Sequence, residues 1–246
     1  MRQKMIGSSR RDVLERTVAT YASGSWQAKG VLLDYFVDLT GYSRKYAITL
    51  LNSAILCAWY PGQEGGRAVA DVLCGDVNPS GRLPVSVPRS SAQLPVYYNY
   101  KDTGDYADMP AAPLYPFGFG LSYTTFTYGA PVLVNAPISV AALAAGGVVQ
   151  ISVEVTNTGN CRGATVVQLY ITDLEASINR RVKELKGFEK VWLAPGECKT
   201  VTLPLNHEHL AIWNPDMAFV VEPGNIQVAV GGDSTTSNQA TFQITG

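Results

Sequence analysis

The sequence predicts a mainly β chain, an antiparallel β-sandwich preceded by a truncated α/β unit and a short helical N-terminal segment. Three observations carry that reading. From about residue 123 onward, β-branched runs alternate with Gly/Pro/Asn turns at short spacing, the pattern of an antiparallel sandwich. Residues 54–88 hold an apolar run, a helix-spaced run and a second alternating run in succession, a strand–helix–strand order that belongs to α/β architecture. Residues 1–53 hold two helix-spaced stretches and one breaker cluster, "SGS". The expected domains are therefore 1–53, 54–122 and 123–246.

In the first segment, "QAKGVLLDYFVDLTG" sets Val31, Leu32, Tyr35, Phe36 and Leu39 on one helical face, and Gly41 supplies a C-terminal stop. Ser43 suits an N-cap for "RKYAITLLN". Helix, short turn and helix, with Arg44 and Lys45 opening the second helix, has helix-turn-helix form. In the second segment, "AILCAWY" (residues 54–60) suits a buried strand and "PGQEGG" a turn. "GRAVADVLCG" spaces Ala68, Val69, Val72 and Leu73 as a helix ending at Gly75. "RLPVSVP" (residues 82–88) alternates Val85 and Val87 against Ser86 as a strand. In the third segment, "GVVQISVEV", "ATVVQLYIT", "LKGFEKVWL", "CKTVTLPL" and "IQVAVGG" read as strands. The turns "APGE" and "EPGN" pair a φ-fixing Pro with a permissive Gly. Val153, Val155, Val167, Leu169, Val201 and Leu203 are the expected core, with Trp192 and Trp213 read as packing residues rather than sugar platforms.

Composition narrows the function classes. Of 246 residues, 46 % are hydrophobic and 16 % charged, and the net charge is -1. The charge is split: residues 1–53 carry eight Lys/Arg and four Asp/Glu, whereas residues 54–246 carry eleven and sixteen. Such asymmetry marks segments with different partners. No apolar run reaches the roughly 20 residues of a membrane span. The opening "MRQKMIGSSRRDVLERT" lacks an apolar h-region, so a cytoplasmic chain with reduced thiols is expected. Cys57, Cys74, Cys161 and Cys198 form no CxxC pair, and a Cys161–Cys198 bond is left open. With only His207 and His209 available, a multi-histidine metal site is not expected, nor is any cofactor.

Two resemblances follow from the motifs. "LLDYFVDLTGYSRKYAITLLN" resembles the N-terminal helical region of integrase-type transposases, which implies DNA contact through residues 1–53. "AWYPGQEGGRAVADVLCGDVNPSGRLPVSVPRS" and "PLYPFGFGLSYTTFTY" resemble the C-terminal part of glycoside hydrolase family 3, the β-glucosidase and β-xylosidase family. "VEVTNTGNCRGATVVQLYITD", "VKELKGFEKVWLAPGECKTVTLPL" and "VVEPGNIQVAVGGDS" resemble that family's fibronectin type III-like domain, an immunoglobulin-like β-sandwich. Cys74 stands where the family usually has an aromatic, and Arg181 where it often has Pro.

The family resemblance implies retaining glycosidase chemistry, with a carboxylate nucleophile and a carboxylic acid/base about 5–5.5 Å apart. The family's nucleophile lies on a barrel of about 250 residues, and its acid/base upstream of "WYPGQEGG". Neither maps onto a residue here, so no catalytic, cofactor or metal residue is assigned. Glu64 is the tempting substitute, but it opens a helix whose unpaired N–H groups and macrodipole favour the ionised form, which is wrong for a general acid. Gln63 and Glu64 are read as structural. Asp102, Asp105 and Asp108, interleaved with Tyr97, Tyr98, Tyr100 and Tyr106, are read as a wrapping linker. His207 and His209 are read as surface groups at a strand end. Three functions follow in order: an inactive C-terminal remnant of a family 3 glycosidase joined to an insertion-sequence fragment, a carbohydrate-binding accessory module contacting β-linked oligosaccharide, and a DNA-binding protein. The edge left open at residues 54–60 is expected to promote self-association.

Overall fold

A computed structural model describes residues 56–101, 104–105 and 110–246. The helical elements expected over residues 1–53 lie outside the described residues. The chain divides into two units, Met1–Pro79 and Ser80–Gly246.

In the first unit one helix is described, α1 (Gly65–Cys74). The helix-spaced apolar residues and the Gly75 stop give it as expected: Gly75 takes the left-handed conformation at φ 80°, and its N–H reaches the Val72 carbonyl. Arg67 and Asp71 face each other one turn apart at 3.9 Å. The strand expected over residues 54–60 does not form in its described part, residues 56–60. Leu56, Trp59 and Tyr60 are exposed there. An apolar run becomes a strand only when neighbouring strands take up its N–H and C=O groups, and none pairs with it among the described residues.

The second unit is a β-sandwich. Its strands are β1 (Phe126–Tyr128), β2 (Val132–Val134), β3 (Ile138–Ser139), β4 (Val149–Asn157), β5 (Gly163–Asp173), β6 (Glu184–Leu193), β7 (Cys198–Leu205), β8 (Ile212–Trp213), β9 (Phe219–Val220), β10 (Gly224–Gly231) and β11 (Gln239–Thr245). Two short helices interrupt them, α2 (Val140–Ala144) and α3 (His207–Leu210). In one sheet β4 is central, with β7 along one edge and β1 then β2 along the other, all antiparallel. The second sheet runs β3-β11-β10-β5-β6, antiparallel except for the β3–β11 pair. β8 and β9 form a separate hairpin.

Strand alternation places the core. Val149, Ile151, Val153 and Val155 of β4 meet Val201, Leu203 and Leu205 of β7 and the inward residues of β5, β10 and β11 in one buried cluster. All six core residues expected from the sequence belong to it. Asn157 at the end of β4 is fully buried and its amide is saturated. It accepts from Thr124 Oγ1 at 2.6 Å and the Gly159 N–H at 3.1 Å, and donates to the carbonyls of Cys161 and Leu193. One amide thus organises the "NTGNCRG" turn, because an unpaired polar group at that depth would cost about 1–3 kcal/mol.

β5 differs from the other strands. It is buried on both faces, Val167, Leu169 and Ile171 toward the core and Gln168 and Tyr170 on the opposite side. The segment 80–122 supplies the second cover. Tyr98 stacks on Phe117 at 4.2 Å and meets Tyr170 edge-on at 6.1 Å. The Leu185 N–H donates to the Tyr98 hydroxyl at 3.1 Å. The strand expected over residues 82–88 shrinks to a single bridge, Val87 to Tyr115, flanked by bonds between Leu83 and residues 118–119. Pro84 and Pro88 have no N–H to give, so the ladder cannot extend.

Candidate functional site

A shallow groove of about 470 Å³ lies between β1 and the β10–β11 loop, lined by Phe126, Thr127, Tyr128, Asp233, Ser237 and Asn238 among others. Its loop is held by its own polar groups. Asp233 Oδ1 accepts from the N–H of Thr235 at 2.8 Å and from its hydroxyl at 2.6 Å. Thr236 donates to the Val230 carbonyl, and Asn238 to that of Gly129 at 2.7 Å. On the β1 wall, the Tyr128 hydroxyl lies 3.0 Å from Thr165 Oγ1, which also accepts from Arg82 at 2.8 Å. Burial raises the Tyr128 phenol, against the pull of the Thr165 bond and the Arg82 charge. Arg82 also donates to the Gly120 carbonyl at 2.6 Å.

The groove has a single carboxylate, Asp233. Retaining glycoside hydrolysis needs two, one to attack and one to protonate the leaving oxygen. The groove offers hydroxyls, an amide and aromatic edges, which can bind but do not form such a pair.

Beneath the neighbouring loop sits a polar hub that sequence reading missed. Gln168 is 3 % exposed. Its amide donates to the Gly118 carbonyl at 3.1 Å and the Gly232 carbonyl at 2.6 Å, and its oxygen accepts from the Tyr170 hydroxyl at 2.5 Å. Burial pushes the Tyr170 phenol well up, aided by Tyr98 and Asp233. The available signal was a single Gln inside the apolar run "VVQLY". Gly118 sits at φ 80°, and a Cβ there would fall into the Gln168 side chain.

The residues weighed from sequence do not converge. Gln63 and Glu64 are exposed, and Glu64 is the N-cap residue of α1 without a side-chain capping bond. Asp105 accepts the Ala111 N–H at 2.9 Å. Asp102, Tyr106 and Asp108 lie outside the described residues. Tyr97 and Tyr100 pair at 4.6 Å, with the Arg181 guanidinium 5.7 Å over Tyr100, and Tyr98 packs as described above. His209 completes a capping box with Asn206 at the start of α3, and His207 approaches Phe219 edge-on. No disulfide joins the four cysteines, and the Cys161 thiol donates to the Tyr123 carbonyl at 3.4 Å. Among the described residues no three ligating side chains gather as a metal site would require, and no helix is long and apolar enough to cross a membrane. The two tryptophans correct the sequence reading. Trp192 and Trp213 stay outside the core, 44 % and 59 % exposed. Arg162 and Lys190 lie 5.6 and 5.3 Å from the Trp192 ring.

Comparison with known proteins decides the family. Residues 43–123 match the glycosyl hydrolase family 3 C-terminal domain, and residues 165–234 match a fibronectin type III-like domain. The chain carries the C-terminal domains of a family 3 glycosyl hydrolase. The chain is 48 % identical over 204 residues to a periplasmic β-glucosidase of Salmonella typhimurium, covering 78 % of this chain and 26 % of the relative. It is 46 % identical over 198 residues to a β-xylosidase of Formosa agariphila, covering 78 % and 27 %. A β-glucosidase from Listeria innocua, solved in complex with glucose, superposes with a TM-score of 0.68 at 38 % identity, covering 76 % of this chain and 27 % of that one. The chain thus spans about a quarter of the length of the relatives it matches. The transposase-like reading of residues 1–53 finds no support: the family match begins at residue 43, inside that segment.

Proposed function

We propose that this chain is a non-catalytic C-terminal portion of a β-glycosidase whose whole form cleaves terminal β-glucosidic or β-xylosidic bonds, and that the portion alone hydrolyses neither. The observation that carries the reading is the extent of the match, which takes in the family 3 C-terminal and fibronectin type III-like domains and about a quarter of each relative. The chemistry agrees: the groove of the sandwich holds one carboxylate where retention needs two. The sandwich's contribution is rigidity. Gln168 and Arg82 tie the segment 80–122 to β5 through one buried and one half-buried bond, so this arm holds one position on the sandwich.

The test is release of nitrophenol from aryl β-glucoside and β-xyloside by the purified chain, beside a blank and an intact family 3 enzyme. The expected rate equals the blank. Turnover that disappears on Glu64→Ala or Asp105→Ala would overturn the proposal.

A further inference from the structure

The β8–β9 hairpin shows aromatic surface that packing does not explain. Its register sets Trp213 directly opposite Phe219, with ring centroids 5.4 Å apart and planes tilted by 40°. The two side chains are 59 % and 43 % exposed, and Met217 at the tip is 75 % exposed. The neighbouring Leu210, Ala211, Ile212 and Val221 are buried in or against the core. The hairpin is firmly seated while its outer positions, where an exposed strand would normally carry polar residues, hold large apolar groups.

The tip is preorganised. Asn214 closes the turn, its side-chain oxygen taking the Ala218 N–H at 2.9 Å and its carbonyl the Met217 N–H at 3.0 Å. Met217 is held at φ 60°, a conformation that costs a non-glycine residue energy. His207 flanks Phe219 edge-on at 6.4 Å. Asn214 and Asp216 in the turn, with Glu208 on α3, add polar groups from the same short stretch of chain.

Size and chemistry choose the occupant. At about 150–250 Å² per aromatic side chain, the two rings at these exposures offer on the order of 200 Å². A stable protein interface takes roughly 800 Å² per partner, and the two rings with the exposed Met217 tip stay well under that, so the patch is too small for one. It suits one or two pyranose rings. In β-linked glucose and xylose every ring substituent is equatorial, which leaves the faces as apolar C–H surface and sends the hydroxyls outward. Aromatic faces are electron-rich and attract such polarised C–H groups. The rim can meet the hydroxyls, and its acidic members favour a neutral sugar over an anionic one. Trp192 lacks this opportunity, since two cations already attend its ring.

We infer that Trp213 and Phe219 form a binding platform for a neutral β-linked glucan or xylan segment. The choice of sugar rests on the β-glycoside reading proposed above. The test is native-gel mobility of the full chain in laminarin, in soluble xylan and in dextran as the α-linked control. Retardation is expected in laminarin or xylan and not in dextran. The apparent Kd should rise at least tenfold in Trp213→Ala and at least threefold in Phe219→Ala, while Trp192→Ala leaves it unchanged. Circular dichroism and melting temperature confirm that each variant folds. No retardation, retardation equal in dextran, or retardation that survives Trp213→Ala would overturn the platform. So would a sedimentation result in which Trp213→Ala converts a dimer to a monomer, because the patch would then be a protein contact. The nitrophenol assay reads the catalytic proposal separately: a chain that neither binds glucan nor turns over substrate loses the platform and keeps its non-catalytic assignment.

Discussion

Replacing Gln168 by Leu tests whether the polar hub beneath the 116–120 loop holds the molecule together. The substitution keeps the approximate volume and removes three hydrogen bonds, two donated to Gly118 and Gly232 and one accepted from Tyr170. The Tyr170 hydroxyl belongs to a residue only 1 % exposed, and Gly118 is buried. Each buried group left without a partner costs about 1–3 kcal/mol. Two such groups and a partly covered third, less a small gain from burying the Leu side chain, give an expected loss of about 3–5 kcal/mol. Urea unfolding of the full chain measures it. Tyr170→Phe removes the stranded hydroxyl, so the double variant should be less damaged than the sum of the singles, with a coupling of at least about 1 kcal/mol. Amide exchange adds a local readout, because the Ser234 N–H donates to Phe117 and the Gly118 N–H to Leu83. Both should lose protection before the core strands do. A loss below about 1 kcal/mol, or strict additivity with Tyr170→Phe, would refute the hub.

Two further outcomes are expected. A chain cut to residues 123–246 should be less stable to urea than residues 80–246 by several kcal/mol, because it uncovers Tyr170 and strips Thr165 and Gln168 of partners supplied by Arg82 and Gly118; equal stability would show that the segment 80–122 merely drapes. Burial raises Glu184, but the Lys186 hydrogen bond and the charges of Lys186, Arg180 and Arg181 outweigh it and hold the carboxyl below the usual range. A depressed carboxylate stabilises above its unfolded pKa, about 4.3, and loses that contribution as pH falls through the folded value. Glu184→Gln should therefore cost on the order of 1 kcal/mol at pH 7 and converge with the parent toward pH 3; urea midpoints at the two pH values decide, and a difference that persists in acid would contradict it.

Particular elements show how far sequence reading reaches. α1 was legible because apolar spacing and a Gly stop are local properties, and Gly75 takes the positive φ it was expected to take. The core of β4, β5 and β7 was legible because period-two alternation states which face is buried. The strand expected at residues 54–60 failed in its described part because a strand is completed by neighbours, and alternation or apolar content says nothing about their presence. The strand expected at residues 82–88 shrinks to one bridge for a local reason, the two prolines within it. Asn157 and Gln168 were passed over because their partners are distant in sequence: Gln168 bonds to carbonyls 50 and 64 residues away.

The candidate sites divide in the same way. Long motifs in order pointed to the family, and the family comparison agrees over residues 43–123 and 165–234. The exposure of Trp213 was not readable, since an aromatic in a short apolar stretch is equally compatible with core and surface. By itself the sequence determined the β-sandwich, its inward residues and its kinship, because periodicity and motif order are written along one dimension. The tertiary structure alone decided that β5 is covered twice, that residues 80–122 belong to the sandwich unit, and that an aromatic pair faces solvent. Those outcomes depend on which surfaces meet across long stretches of chain, and burial is a property of the neighbour as much as of the residue.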